Sequence, residues 1–128
     1  MSQSKLFQYS ETEPMRLSEV VVFEVDSRWS RQEITLAALA ETLPLGAVLA
    51  LDAESGSYVP YLAAEGDNEA SAVLCAPAKA SSAAQKAVAE LRGAVLCGSN
   101  LAFLEGVTDE QKKTAFAQLT ALGLVVQE

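Results

Sequence analysis

Histidine is missing from this chain altogether. The commonest general base and imidazole metal ligand are therefore gone, and with them every Ser-His-Asp and Cys-His arrangement. Cysteine is scarce, at Cys75 and Cys97 only. Their separation is not that of a zinc knuckle, and two thiols alone cannot close a tetrahedral site. Both sit in apolar Ala/Val/Leu runs rather than the electropositive surroundings of a reactive thiol. They read as small core residues, with a thiol enzyme as the rival reading. Basic residues are few: Lys and Arg total 9 against 17 Asp and Glu, a formal charge of −8. Phosphate binding needs clustered cations and these are scattered, so neither nucleic acid nor an anionic membrane is an expected partner. No stretch approaches the roughly 18–20 apolar residues of a membrane-spanning helix. The opening residues, Met1 to Tyr9, lack the apolar run of a signal peptide. The expectation is a soluble protein that stays where it is made, with reduced thiols.

Other ligand signatures are missing too. Asp67 and Glu69 lie in a polar loop without the twelve-residue calcium pattern, and Gly93 and Gly98 do not form a phosphate cradle. Lys112 and Lys113 read as the solvated face of a helix. Nothing calls for a cofactor or a metal, and no catalytic residue stands out.

What the 128 residues do contain is apolar mass, 50% of the chain, with only 6% aromatic. One domain is expected, burying on the order of 65–70% of its extended surface. Residues 1–18 are Ser-, Gln-, Glu- and Thr-rich with Pro14 and read as an arm with little structure of its own. Val20 to Val25 is the strongest β-propensity run, set between that arm and Asp26-Ser-Arg-Trp-Ser30. It is either an ordinary internal strand or a segment that adds to the sheet edge of another chain. Trp29, the one tryptophan, is a core residue or an interface anchor.

Residues 32–37 are ambiguous. Ser30 with Glu33 could open a helix, whereas Ile34-Thr35-Leu36 favours the strand taken here. Ala47–Asp52 and Ser57–Leu62 form a hairpin around Ala53-Glu54-Ser55-Gly56, and Ala70–Cys75 reads as a buried strand. Ala83–Arg92 is ambiguous again: its alanines favour helix. The strand alternative places Val88, Glu90 and Arg92 on one face, with Ala89 and Leu91 on the other. Ala94–Cys97 continues as β and Gly98-Ser99-Asn100 turns. At the end, Thr108 with Gln111 makes a capping box, with Asp109 and Glu110 in the first turn. Ala115, Phe116, Leu119 and Leu122 form an apolar stripe, Gly123 caps the helix in a left-handed conformation, and Leu124-Val125-Val126 is a closing strand.

That terminal helix, with Asp109-Glu-Gln-Lys-Lys-Thr-Ala-Phe-Ala117 and the strand after it, resembles the C-terminus of the lambda-type head decoration proteins of tailed bacteriophages. Upstream, Ser30-Arg31-Gln32-Glu33-Ile34-Thr35-Leu36, Leu45-Gly46-Ala47-Val48-Leu49, Ser57-Tyr58-Val59-Pro60-Tyr61 and Leu91-Arg92-Gly93-Ala94-Val95 follow the order of that family's motifs. The resemblance covers residues 28–126. Phe103 and Leu104 depart from it, standing where relatives often have Trp and Pro, and the N-terminal segment is not matched residue by residue.

The resemblance implies a mainly β fold with one C-terminal helix (α+β): a bent β-ribbon and an incomplete small barrel, β-clip-like, with an extended N-terminal arm. It favours strand from about Ala87, and it divides the chain into a capsid-binding arm, 1–27, and a decoration domain, 28–128. It further implies a non-enzymatic virion protein, made in the host cytoplasm, that binds the outer surface of the expanded head as homotrimers at local threefold sites. Its partners would be the major capsid protein of the same phage and itself. The residues expected to carry capsid binding are Val20, Val21, Val22, Phe23, Val25 and Trp29. The alternative is a small β-barrel carrier or ligand-binding module of a host cell. A carrier needs one lysine on a tight hairpin, and neither Lys79 nor Lys86 has that setting.

Overall fold

In a computed structural model that describes residues 15–62 and 69–128, both ambiguous segments contain strands rather than helices. The first elements are a single helical turn α1 (Leu17–Val20), strand β1 (Val21–Glu24) and a second turn α2 (Ser27–Ser30). Then come β2 (Arg31–Leu36), β3 (Val48–Leu51), β4 (Tyr58–Pro60), β5 (Ala70–Leu74) and β6 (Gln85–Glu90). The chain ends with β7 (Ala94–Cys97), helix α3 (Asp109–Ala121) and β8 (Leu124–Gln127). The alanines of β6 form no helix because all six residues from Gln85 to Glu90 pair antiparallel with β2. Long-range pairing outweighs a local preference worth only tenths of a kcal/mol per residue.

Five strands form a barrel in the order β2-β4-β3-β5-β6. The sequence suggested an incomplete barrel. Closure is indeed narrow, since β2 meets β4 through one parallel residue pair, Leu36 with Tyr58. The 53–56 turn joins β3 and β4 as a hairpin, and Gly56 takes φ +76° there. Asp67 of the polar loop lies outside the described residues.

A separate three-stranded sheet runs β1-β7-β8. β7 and β8 are parallel, which requires a crossover, and α3 supplies it. Both halves of the Thr108/Gln111 capping box are present, and Gly123 caps at φ +91°. Ala115 and Leu119 are fully buried, whereas Leu122 is 48% exposed. The apolar stripe is thus narrower than four residues, because Leu122 sits at the C-cap, where the chain turns away from the core.

β3 explains the continuous apolar runs. Leu49 points into the barrel core with Leu36, Leu74 and Ala89. Val48 and Ala50 face a second core with Leu96, Leu119 and Leu124. A strand buried on both faces has no polar side to alternate with. Gln118 ties the two layers, its side-chain oxygen accepting from the Ala70 amide at 2.9 Å.

Val20 is wholly buried in the second core, and β1 pairs antiparallel with β7 of its own chain. Val20 and β1, which fall within the 1–27 segment, are therefore packed against the rest of the chain. For the unstructured arm expected over 1–18, residues 1–14 lie outside those described.

Candidate functional site

Apolar side chains in water need a reason, and four occur within eight positions: Val22 (51% exposed), Phe23 (60%), Val25 (63%) and Trp29 (51%). They lie on and just beyond β1, an edge strand of the three-stranded sheet. Of the six residues expected at the site, Val20 belongs to the core and Val21 packs against it. The other four are exposed.

The backbone explains how. The register of β1 on β7 slips between Val21 and Phe23, leaving Val22 as the extra residue of a bulge. A bulge bends the strand and spoils its outer edge for further pairing. Of the two readings of Val20–Val25, the pairing of β1 with β7 is that of an internal strand, and the exposed groups there are side chains. Phe23 and Val25, two apart, share a face of the extended chain.

Gly93, in the turn between β6 and β7, anchors the far end. Its carbonyl accepts from the Val25 amide at 2.8 Å and from Ser30 Oγ at 3.0 Å. The Trp29 ring lies flush on its Cα: a β-carbon there would land on ring atom Cζ3 and within 3.1 Å of Cη2. Gly93 also sits at φ +63°, so both the turn and the ring require glycine. Arg92 lies 5.8 Å from the ring centroid and donates to the Trp29 carbonyl and the Gln32 side chain. Asp26 caps α2 by accepting from the Arg28 amide at 2.8 Å. Trp29, read as core or interface anchor, is thus a half-exposed side chain on a rigid seat.

Behind the patch lies a cluster that the sequence did not disclose. Arg31 reaches Glu24 through two bonds, 2.7 and 2.9 Å, and lies 3.5 Å from Glu90. Glu90 has no exposed surface, and its Oε1 has no hydrogen-bond partner among the described residues. The Cys75 thiol donates to the other oxygen at 3.6 Å. Burial, then the neighbouring Glu24, pushes the Glu90 carboxyl up to about 8. Glu24 moves the opposite way, held low by its bonds to Arg31.

Linkage fixes the signs. Glu90, raised above its ordinary 4.5, contributes stability that is complete below about 4.5 and lost as pH rises toward 8. Glu24, depressed, contributes stability present above its ordinary value and lost on acidification. Burial likewise pushes the Cys75 thiol up to about 12, so it serves as a weak donor and is poorly suited to nucleophilic attack.

The rest of the surface offers little chemistry. Among the described residues no group of three or more His, Cys, Asp or Glu could hold a metal ion, and no helix is long and apolar enough to cross a membrane. Lys86 lies within β6 with its ammonium on Thr35 Oγ1 at 3.0 Å, not on a hairpin tip.

The family profile of the bacteriophage lambda head decoration protein D matches residues 10–124. The chain belongs to this head decoration family. A search of curated proteins returned no significant match. Head decoration proteins are structural, and membership implies association with the phage capsid. The segments that carried the resemblance now have places in the fold. Ser30–Leu36 is the end of α2 with β2, and Ser57–Tyr61 surrounds β4. Gly46 and Gly93 take positive φ at the turns before β3 and β7. Glu24, Arg31 and Glu90 went unread because their proximity depends on the β1–β7 and β2–β6 pairings. The one available hint was a glutamate in an otherwise apolar strand.

Proposed function

We propose that this head decoration protein is a capsid cement that acts without catalysis. It binds the outer surface of the expanded head as trimers at local threefold positions, and Val22, Phe23, Val25 and Trp29 carry the contact with the major capsid protein. The observation that supports this most is the placement of four exposed apolar side chains on one edge of a chain of this family. Exposed clusters of this kind mark interaction sites, and Trp is enriched among residues that dominate binding energy. The acidic balance of −8 suits a protein outside the shell, away from packaged DNA. Binding the expanded lattice and not the compact precursor stabilises the expanded state by mass action.

The test uses full-length protein on purified expanded and compact shells. Removing residues 1–26 is unsuitable, since it takes Val20 out of the core. Phe23→Ser and Val25→Ser leave the core intact, and together they should lower occupancy of expanded shells at least about tenfold, from loss of on the order of 1.4 kcal/mol or more. Wild-type occupancy by the double variant refutes the patch as the contact. Equal binding of wild type to compact shells refutes the cement mechanism.

A further inference from the structure

Glu24 closes β1 between two patch residues, Phe23 and Val25, and its carboxylate faces inward onto Arg31. Glu90 comes to the same guanidinium from β6, and the Cys75 thiol, just past β5, donates to Glu90. The groups facing Glu90 are therefore one carboxylate from β1, one guanidinium from β2 and one thiol from the end of β5. Two carboxylates share one cation: Glu90 is wholly buried, while the side chains of Glu24 and Arg31 keep 14% and 38% of their surface in water. With both ionised, the cluster would bury a net negative charge, and one carboxylate oxygen would remain without a donor. Uncompensated buried charge is costly, and a single proton removes it.

We infer that Glu24, Arg31 and Glu90 form a proton-linked latch that holds β1 against the barrel, and that loss of the Glu90 proton loosens it. Of the groups involved, Glu24 is the easiest to release. It lies on an edge strand, whereas Glu90 lies between two barrel strands, β2 and β5. Releasing Glu24 frees the strand that carries the patch. The raised Glu90 carboxyl, near 8, is consistent with this, and no histidine competes with it in that range. The consequence for capsid binding rests on the docking reading above; the latch itself does not.

Hydrogen exchange of the full-length protein reads the latch directly. The observable is protection of the Val21–Val25 amides relative to the α3 amides, corrected for the intrinsic pH dependence of exchange. In wild type this ratio should hold to about pH 7.5 and fall about tenfold for each further pH unit beyond the midpoint. Glu90→Gln, which copies the protonated form, should abolish the fall. Glu24→Gln leaves ionised Glu90 charge-balanced by Arg31 and should remove most of the fall, whereas Cys97→Ser should leave it in place. A flat wild-type ratio from pH 6.5 to 9 overturns the latch, as does a wild-type response in Glu90→Gln. A full wild-type fall in Glu24→Gln, or loss of the fall in Cys97→Ser, also overturns it. Shell binding at pH 6.5 separates the two ideas. If Phe23→Ser alone binds as wild type there, the patch reading suffers while the exchange data still decide the latch.

Discussion

Adding one methyl group at Gly93 should disturb the proposed docking patch from behind. Gly93→Ala acts in two ways that the structure separates. The backbone at φ +63° costs a residue with a β-carbon about 1–2 kcal/mol. The methyl also lands on the Trp29 ring, whose atoms are the three nearest to it, so the ring must swing away. Complete burial of Trp or Phe is worth about 3–5 kcal/mol on truncation. Trp29 is 51% exposed, so losing its seat should cost about 2 kcal/mol. The expected loss for Gly93→Ala is then about 3–4 kcal/mol, large against typical stabilities of about 5–15 kcal/mol. Chemical denaturation followed by circular dichroism measures it. The same substitution made in Trp29→Ala protein should cost only the backbone part, about 1–2 kcal/mol, leaving a coupling near 2 kcal/mol. Trp29 emission should also shift to longer wavelength as the ring leaves Gly93 and Arg92. Additive losses in the double variant, with unchanged emission in the single one, would show that the ring does not depend on the glycine.

Two further substitutions probe α3 and its exit. Leu119→Ala, at a fully buried position, should lower stability by about 2–5 kcal/mol. Phe116→Ala should lower it by nearer 2, because Phe116 is half-buried and packs at 5.9 Å from Phe103; a Phe116 loss exceeding that of Leu119 would contradict this ranking. Gly123→Val should cost about 1–3 kcal/mol in denaturant midpoint, since φ is +91° and a β-branched residue resists it. The space there is adequate, with the nearest atom 3.4 Å from an added β-carbon, so Gly123→Asn should recover much of the loss. A Gly123→Val midpoint equal to wild type would remove the case for a left-handed cap.

Features that depend on neighbours in sequence were legible before the structure. The Thr108/Gln111 capping box, the Gly123 cap and the 53–56 turn each involve residues no more than four apart, and each is where the sequence placed it. Strand over helix at Gln85–Glu90 came from the family resemblance, because the local alanine preference pointed the other way. What could not be read depends on pairing across the fold. Val20 and Phe23 look alike as members of one β-branched and aromatic run. The fold splits them: Val20 ends α1 and is buried in the core, whereas Phe23 lies on β1 opposite Val95 and is exposed. The same holds for Glu90, whose isolation from water depends on the packing around β6. Phe116 and Leu122 show the remaining limit: helical spacing gives the direction of a side chain but not where the covering layer stops.

Mounting the patch on a paired strand also changes the energetics of the proposed docking. Ordering six residues of a free arm, Val20 to Val25, would cost about 1–2 kcal/mol each in backbone entropy, or roughly 6–12 kcal/mol. That would cancel most of what four apolar side chains can return, at about 1.5–3 kcal/mol each when fully buried. Here folding has already supplied the order. β1 is fixed on β7 by backbone bonds, Trp29 rests on Gly93 and Glu24 is tied to Arg31. A preorganised surface loses little entropy on contact, so half-exposed side chains are enough for moderate affinity. Three such patches joined in one trimer would then act at high effective concentration, provided that β1 stays down. Any change that frees β1 would restore that entropy cost in each subunit of such a trimer, so the latch and Gly93, which act through the seating of the patch, should matter as much to decoration as Phe23 does.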